Sequence, residues 1–229
     1  MKPPKPKPAK KNQPVKILIV DDHPLLREGV ARLINREPDL EVCAEAGNAQ
    51  EALKAVAKAK PDVAIVDVAL SGLGGIELIK SIRTMGKKPL ILALSMHDEV
   101  IYAERALRAG AQGYLMKSQP AGLIITALRD VLDGKTYLSE PMKERLLRCV
   151  QRGAAANGEY PANRLSDCEL EIYQMIGEGL KPSQIARRMS LSVKTVESYR
   201  ARIRLKLNLK NASELVQHCV QWAQAKKAL

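Results

Sequence analysis

Hydrophobic and polar positions follow two different rhythms along this chain, and the change of rhythm divides it. Up to about Asp133, short apolar runs rich in β-branched residues are each followed by a stretch with apolar residues three and four apart. The runs predict strands over 15–20, 40–46, 63–66, 90–94 and 113–116, because strands covered by helices on both faces are apolar throughout. The stretches between them predict amphipathic helices over 24–35, 49–60, 75–83, 99–109 and 120–132. Five strand–helix units in succession predict an α/β domain with a doubly wound, parallel, five-stranded sheet.

A further helix is predicted over 139–150, with Ser139 as N-cap and Pro141 in its first turn. The stretch QRGAAANGEYPAN then loses all periodicity and reads as a flexible linker. Four more helices, over 167–178, 182–189, 193–207 and 212–226, predict a second, all-α domain. The opening stretch MKPPKPKPAKKNQP alternates proline with lysine and predicts an extended, disordered arm, either a solubilising tail or an electrostatic hold on nucleic acid. The expected divisions are an arm over 1–14, an α/β domain over 15–133, a helix and linker over 134–162, and an all-α domain over 163–229.

Charge sharpens this division. Of the net +12, the arm contributes five lysines and no acidic residue, while residues 15–133 hold 15 basic and 16 acidic residues. Residues 163–229 hold 12 basic residues against 6 acidic ones, so the all-α domain is the part suited to a polyanion. Cys43, Cys149, Cys168 and Cys219 are scattered, and there are only 3 histidines, which suits reduced thiols better than a zinc site. No apolar run is long enough to span a bilayer and no secretory leader opens the chain, so the expectation is a cytoplasmic protein without a membrane partner.

The chemistry sits at strand ends. Asp21 and Asp22 follow ILIV, Asp67 follows VAIV, Ser95 follows LILAL and Lys117 follows GYLM. In an open parallel sheet the carboxyl ends of the strands share one edge, where ligands bind, so distant segments bring three carboxylates, a hydroxyl and an ammonium together. Any one of these residues alone is often just a solvated loop residue or a helix cap; the joint pattern is what suits Mg²⁺ and a phosphoryl group.

These five positions, in this order over roughly residues 15–133, resemble the receiver domain of two-component response regulators, a flavodoxin-like fold. The resemblance implies that Asp67 is the phosphoacceptor and that Asp21, Asp22 and Asp67 bind Mg²⁺ together with the backbone carbonyl of Ala69. It also implies that Ser95 hydrogen-bonds a phosphoryl oxygen, that Lys117 pairs with the phosphoryl group or with Asp67, and that Tyr114 is a switch aromatic turning inward as Ser95 moves. The residue types suit these roles on chemical grounds. A carboxylate attacking a phosphoryl donor meets like charge, which a divalent cation and a lysine offset. Mg²⁺ takes hard oxygen ligands, and lysine is a compact point charge. Two departures from the usual pattern stand out: Leu70-Ser71 replaces the frequent Met-Pro, and Ser95 replaces the commoner Thr.

The second domain, from about Leu165 to the end, resembles the LuxR-type helix-turn-helix domain, so that the whole looks like a NarL/FixJ-type response regulator. The carrying features are Leu165-Ser166 with Glu169, Ile185-Ala186, Leu191-Ser192, Thr195-Val196 and Lys206-Leu207. On the helix over 193–207, Val196, Tyr199, Ile203 and Leu207 form the buried stripe by helical spacing. Lys194, Glu197, Ser198, Ala201 and Arg202 then face the other way, toward a DNA major groove, with Thr195 beside them. Arg200, Arg204 and Lys206 flank that face near phosphates, and Arg187 and Arg188 on the preceding helix are further phosphate candidates. Glu197, where many relatives have Lys, points to an altered base preference, and Tyr199 replaces a frequent His. The last helix carries more apolar surface than so small a domain buries easily, and Val220 and Trp222 are its candidates for a dimer contact.

The expected function is a phosphorylation-dependent, DNA-binding transcriptional regulator and not an enzyme, since phosphoryl transfer onto Asp67 releases no separate product. Its expected partners are a sensor histidine kinase or small phosphodonor and double-stranded DNA, with a homodimer forming on phosphorylation. The linker is long enough for the receiver to cover the 193–207 helix when unphosphorylated. The competing expectation is an interaction protein or DNA binder whose receiver is a docking surface indifferent to phosphate; the intact Asp67–Ser95–Lys117 set speaks against it.

Overall fold

The computed structural model describes residues 13–70, 74–96, 99–152, 164–189 and 191–227. The expected arm up to residue 12, the expected linker from residue 153 onward, and Ser71 in the loop after the third strand lie outside them.

Strands β1 (Val15–Val20), β2 (Leu40–Ala46), β3 (Val63–Asp67), β4 (Leu90–Ser95) and β5 (Gly113–Met116) form one parallel sheet in the order β2-β1-β3-β4-β5. Helices α1 (Pro24–Ile34), α2 (Ala49–Ala59), α3 (Gly75–Met85), α4 (Glu99–Ala109) and α5 (Gly122–Leu132) fill the connections. Successive side chains on a strand point to opposite faces, so each apolar run feeds two cores. Ile17, Ile19, Val63, Ile65, Leu92, Leu94 and Leu115 join α1 and α5 on one face, through residues such as Val30, Ile34, Ile124 and Leu128. Leu18, Val20, Ala64, Val66, Ile91, Ala93 and Tyr114 join α2, α3 and α4 on the other, through Val56, Ile79 and Ala103 among others. The central strands β3 and β4 are apolar up to their polar last residue, as a two-faced sheet requires, while the edge strand β2 carries exposed Glu41 and Glu45.

The chain moves outward in opposite directions from β1 and β3, which are neighbours, and loops from both ends diverge there to leave a crevice. Two strands run one residue further than their apolar runs: β3 includes Asp67 and β4 includes Ser95, so both polar groups are held by ladder hydrogen bonds instead of loops. Beyond α5, Tyr137 makes a bridge alongside β5 at Gly113, and Tyr114 N–H donates to its carbonyl at 2.9 Å. Helix α6 (Glu140–Arg152) continues past the expected end at residue 150, so Gln151 and Arg152 are helical and not part of a linker.

The second domain comprises α7 (Asp167–Gly177), α8 (Pro182–Arg188), α9 (Val193–Lys206) and α10 (Ala212–Lys227). Ser166 starts α7 with a capping box: its hydroxyl accepts from Glu169 N–H, and the Glu169 carboxylate accepts from Ser166 N–H at 2.7 Å. Ser192 caps α9 in the same manner, accepting from Thr195 N–H at 3.0 Å.

The two domains meet through α7. Arg105 on α4 holds the Asp167 carboxylate at 2.6 Å and donates to the Leu165 carbonyl at 2.8 Å, while Lys80 on α3 reaches the same carboxylate at 3.2 Å. Tyr102, also on α4, donates to Gln174 at 3.2 Å in a buried contact. Lys194, Glu197, Ser198 and Arg202 remain exposed on α9. The expectation that the receiver covers the 193–207 helix is thus corrected: the acidic start of α7 is the surface complementary to the basic α3–α4 face.

Candidate functional site

The carboxyl edge of the sheet gathers the groups expected there. Asp67 closes β3 and is 1% exposed; Asp21, immediately after β1, is 2% exposed; Ser95 at the end of β4 is buried. Lys117 follows β5, and its backbone N–H donates to the Ser95 carbonyl at 2.7 Å, which ties the ends of β4 and β5 together. Its ammonium lies 2.7 Å from Asp67 Oδ2 and 2.6 Å from Asp21 Oδ2. The other oxygen of Asp67 accepts from Ala69 N–H at 2.9 Å, so both are oriented. Asp21 is held by Arg27, which donates to its carbonyl at 2.6 Å, and by His23 N–H, which donates to Oδ1 at 2.9 Å.

Burial is the leading influence on Asp67 and pushes its carboxyl above the usual range; the Lys117 ammonium pulls it back, while the charge of Asp21 adds to the rise. A buried site with two carboxylates around one ammonium is short of positive charge, and that shortage is what a divalent cation would supply. One oxygen from each of Asp21, Asp22 and Asp67, with a ring nitrogen of His23, lie within 4.8 Å of one another. The three carboxylates are hard oxygen donors of the kind Mg²⁺ takes. His23 is an addition that sequence reading missed. Its ring sits 2.8 Å from Asp22 and 3.2 Å from Asp21, and its place right after the acidic pair was the available signal.

Gly75 explains how α3 can start beside Asp67. A Cβ there would meet the Asp67 carbonyl oxygen at 1.9 Å, so only glycine permits this approach of helix to strand end. Tyr114 is wholly buried in the cluster that also holds Tyr102.

On α9, Val196 and Ile203 are fully buried, and Tyr199 and Leu207 are half-buried against the core, as the spacing predicts. Thr195, Ala201 and Arg204 are half-buried beside the exposed residues named above. Arg202 stands over the Tyr199 ring, 5.4 Å from its centroid. Two basic residues of α9 are engaged within the domain, as is Arg188 of α8, which lies 3.7 Å from Glu178. Arg200 pairs with Glu197 at 2.7 Å one turn away, and Lys206 bonds the buried Glu169 carboxylate at 2.6 Å, which places it on the α7 cap instead of free for phosphates. Arg187 and Arg188 are exposed at the end of α8. On α10, Trp222 packs edge-on against Tyr173 with centroids 5.4 Å apart, Val220 is half-buried, and Val216 is 40% exposed.

Comparison with known proteins agrees with this layout. The family described as "Response regulator receiver domain" matches residues 17–129, and "Bacterial regulatory proteins, luxR family" matches residues 163–219. The chain belongs to the two-component response regulators that join a receiver to a LuxR-family domain, and it is a DNA-binding transcription regulator.

Among curated relatives, the oxygen regulatory protein NreC of Staphylococcus epidermidis is 34% identical over 212 residues, covering 90% of this chain and 97% of the relative. NreC of Staphylococcus aureus strain MRSA252 is 35% identical over 211 residues, with the same coverage. Among solved structures, a LuxR-family two-component response regulator from Aurantimonas sp. is 36% identical with a TM-score of 0.56, covering 59% of this chain and 97% of that one. The RcsB response regulator of Salmonella typhimurium is 25% identical with a TM-score of 0.56, covering 90% of this chain and 98% of that one. No helix among the described residues is long and apolar enough to cross a membrane.

Proposed function

We propose that Asp67 is the phosphoacceptor of a cytoplasmic, phosphorylation-controlled DNA binder, and that the Lys117–Asp67 pair inside the Asp21–Asp22 pocket is the observation carrying this reading. An Asp67 carboxylate oxygen attacks phosphorus, a new O–P bond forms, and the bond from phosphorus to the histidine nitrogen or carboxylate oxygen of the donor breaks, its electrons leaving with the donor. Lys117 balances charge on the phosphoryl oxygens, and the Ser95 hydroxyl donates to one of them. Asp21, Asp22, Asp67 and the Ala69 carbonyl would hold Mg²⁺, which supplies electrostatic stabilisation of the transferring group. Tyr114 follows Ser95 as the switch aromatic.

The output is a homodimer on double-stranded DNA. Lys194, Thr195, Glu197, Ser198, Arg200, Ala201, Arg202 and Arg204 form the reading surface, and Val220 and Trp222 lie at the dimer contact. The working divisions are an arm over 1–14, a receiver over 15–133, a helix and linker over 134–162, and a DNA-binding domain over 163–229. What the solved relatives' descriptions say supports the DNA-bound state: RcsB of Salmonella enterica serovar Typhimurium is described bound to promoter DNA with a phosphomimetic. The test is incubation with acetyl phosphate and Mg²⁺ followed by intact-mass measurement. One phosphoryl adduct is expected on the wild type and none on Asp67→Asn; equal labelling of the two refutes the assignment.

A further inference from the structure

His23 differs from its neighbours in the acidic pocket: its donor atom is nitrogen, where Asp21, Asp22 and Asp67 offer oxygen. The backbone sets its place. His23 is the N-cap of α1 and precedes Pro24, which keeps it extended at φ −97° and ψ 104°. An N-cap side chain ordinarily accepts a hydrogen bond from the first turn of its helix, but that of His23 makes no such bond. The ring turns back over the pocket instead, and the His23 N–H, donating to Asp21 Oδ1 at 2.9 Å, anchors the turn. The imidazole therefore serves the acidic pair and not the helix.

Its Nδ1 lies 2.8 Å from Asp22 Oδ1 and 3.2 Å from Asp21 Oδ1. Neighbouring ligands around an octahedral ion with bonds of about 2.1 Å are about 3.0 Å apart, so both spacings suit adjacent ligands. An imidazole lone pair and a carboxylate at that distance repel unless a proton or a cation lies between them. With the ring hydrogen on Nε2, Nδ1 directs its lone pair to an ion held by the carboxylates. The His23 side chain is 71% exposed, so an ion and its remaining waters reach it from solvent. Charge balances as well. Three carboxylates less the Lys117 ammonium leave a net charge of −2, and a neutral imidazole adds a donor without changing that sum.

We propose that His23 is a nitrogen ligand of this pocket and that it selects borderline first-row divalent ions, of the Fe²⁺ to Zn²⁺ series, over Mg²⁺. The proposal rests on the pocket being the divalent-cation site of the phosphoacceptor. Imidazole suits the borderline ions, whereas Mg²⁺ takes oxygen ligands and keeps several waters. Loss of His23 therefore costs Mg²⁺ little, because water fills the position. A borderline ion loses the nitrogen donor of the cluster. Which ion sits beside Asp67 then depends on the supply of two kinds of metal, and not on Mg²⁺ alone.

The test titrates chelator-stripped full-length protein with Co²⁺, followed by its visible absorption, and separately with Mg²⁺, followed by calorimetry. Wild type is compared with His23→Ala and with His23→Asn, whose amide is a good N-cap should the alanine variant fail to fold. Co²⁺ affinity should fall at least about tenfold in both, the lower end of what even an outer-shell partner contributes, while Mg²⁺ affinity changes less than about twofold. Asp22→Asn locates the site, since it should weaken both ions. Unchanged Co²⁺ affinity in the His23 variants, equal losses for the two ions, or Co²⁺ binding indifferent to Asp22→Asn overturns the inference and leaves the Mg²⁺ pocket standing. Failure of the wild type to bind either ion, or binding of both that ignores Asp22→Asn, overturns that pocket too.

Discussion

The Lys117 ammonium lies between Asp67 and Asp21, 2.7 Å from one carboxylate and 2.6 Å from the other, with all three side chains buried. One cation thus serves two anions that sequence places 46 residues apart. Removing one member of a buried ion pair leaves an uncompensated charge, at a cost of about 3 kcal/mol or more. Lys117→Met should therefore lower receiver stability by about 3 kcal/mol in chelator, measured by urea unfolding. Added Mg²⁺ should restore a large part of the loss by taking over the charge. Unchanged unfolding midpoints in chelator would show that the pair contributes nothing net.

The second domain has its own buried carboxylate. Glu169 completes the α7 capping box and bonds Lys206 at the end of α9, so one side chain joins two helices. Burial raises the Glu169 pKa, but the Lys206 and Ser166 hydrogen bonds outweigh it and leave the carboxyl below its ordinary range. A depressed acid stabilises the fold above its unfolded pKa and loses that contribution as pH falls through its folded one. Glu169→Ala should cost about 2 kcal/mol at neutral pH, from a lost cap and a lost charged hydrogen bond. The gap to wild type should close under acidic conditions. Thermal melts of the full-length protein across pH check both, and a gap that does not change with pH would exclude this cause.

Much of this architecture is legible in the sequence. Asp67, Ser95 and Lys117 could be assigned to one edge because each ends an apolar run, and parallel strands share a carboxyl edge. The stripe Val196–Tyr199–Ile203–Leu207 followed from helical spacing alone. The pairs that decide how parts meet were not legible. Arg105 and Asp167 are 62 residues apart, and nothing local to either marks it as a partner. Lys206 read as one more basic residue on a DNA-binding helix, because its partner Glu169 lies on another helix 37 residues earlier. Trp222 read as surplus apolar surface, although Tyr173 supplies a ring for it to pack against.

Contacts on α9 should separate by chemistry. Arg202 is exposed, and its replacement by Ala should weaken binding to all sequences and lower the salt slope of log affinity by about one unit. Glu197 is exposed and pairs with Arg200, so Glu197→Ala should change base preference both by removing an acceptor and by releasing Arg200. Binding of both variants to a randomised DNA pool at several salt concentrations distinguishes these effects. An unchanged preferred sequence for Glu197→Ala would remove it from the readout.

Docking of α7 should itself depend on pH. In the docked arrangement Glu171 is pushed up from 4.5 to about 7, so the docked state binds a proton more tightly than the released one. Its support for docking is complete below about 4.5, declines as pH rises, and is lost above about 7. The groups around it are Asp22 and Asp67 from the strand ends, Glu77 on α3, Tyr102 on α4, Asp167 and Cys168 on α7, and Arg188 on α8, with Lys80 and Arg105 held on Asp167. Without phosphodonor, scattering should show expansion between pH 6 and pH 8, within the window that pKa sets. Glu171→Gln should be flat over the same range. An equal change in the variant would assign the effect to another of those groups.

If the charge state of Asp67 governs DNA binding, the DNA affinity of full-length protein changes on adding acetyl phosphate and Mg²⁺. Binding to a site selected from random sequence, with sedimentation on the same samples, should show at least about tenfold tighter binding and a dimer when the donor is present, within the usual range of coupling between sites. Asp67→Asn should show neither. Identical affinity and mass with and without donor, in wild type whose phosphoryl adduct has been verified, would contradict the account and leave the receiver as a docking surface indifferent to phosphate.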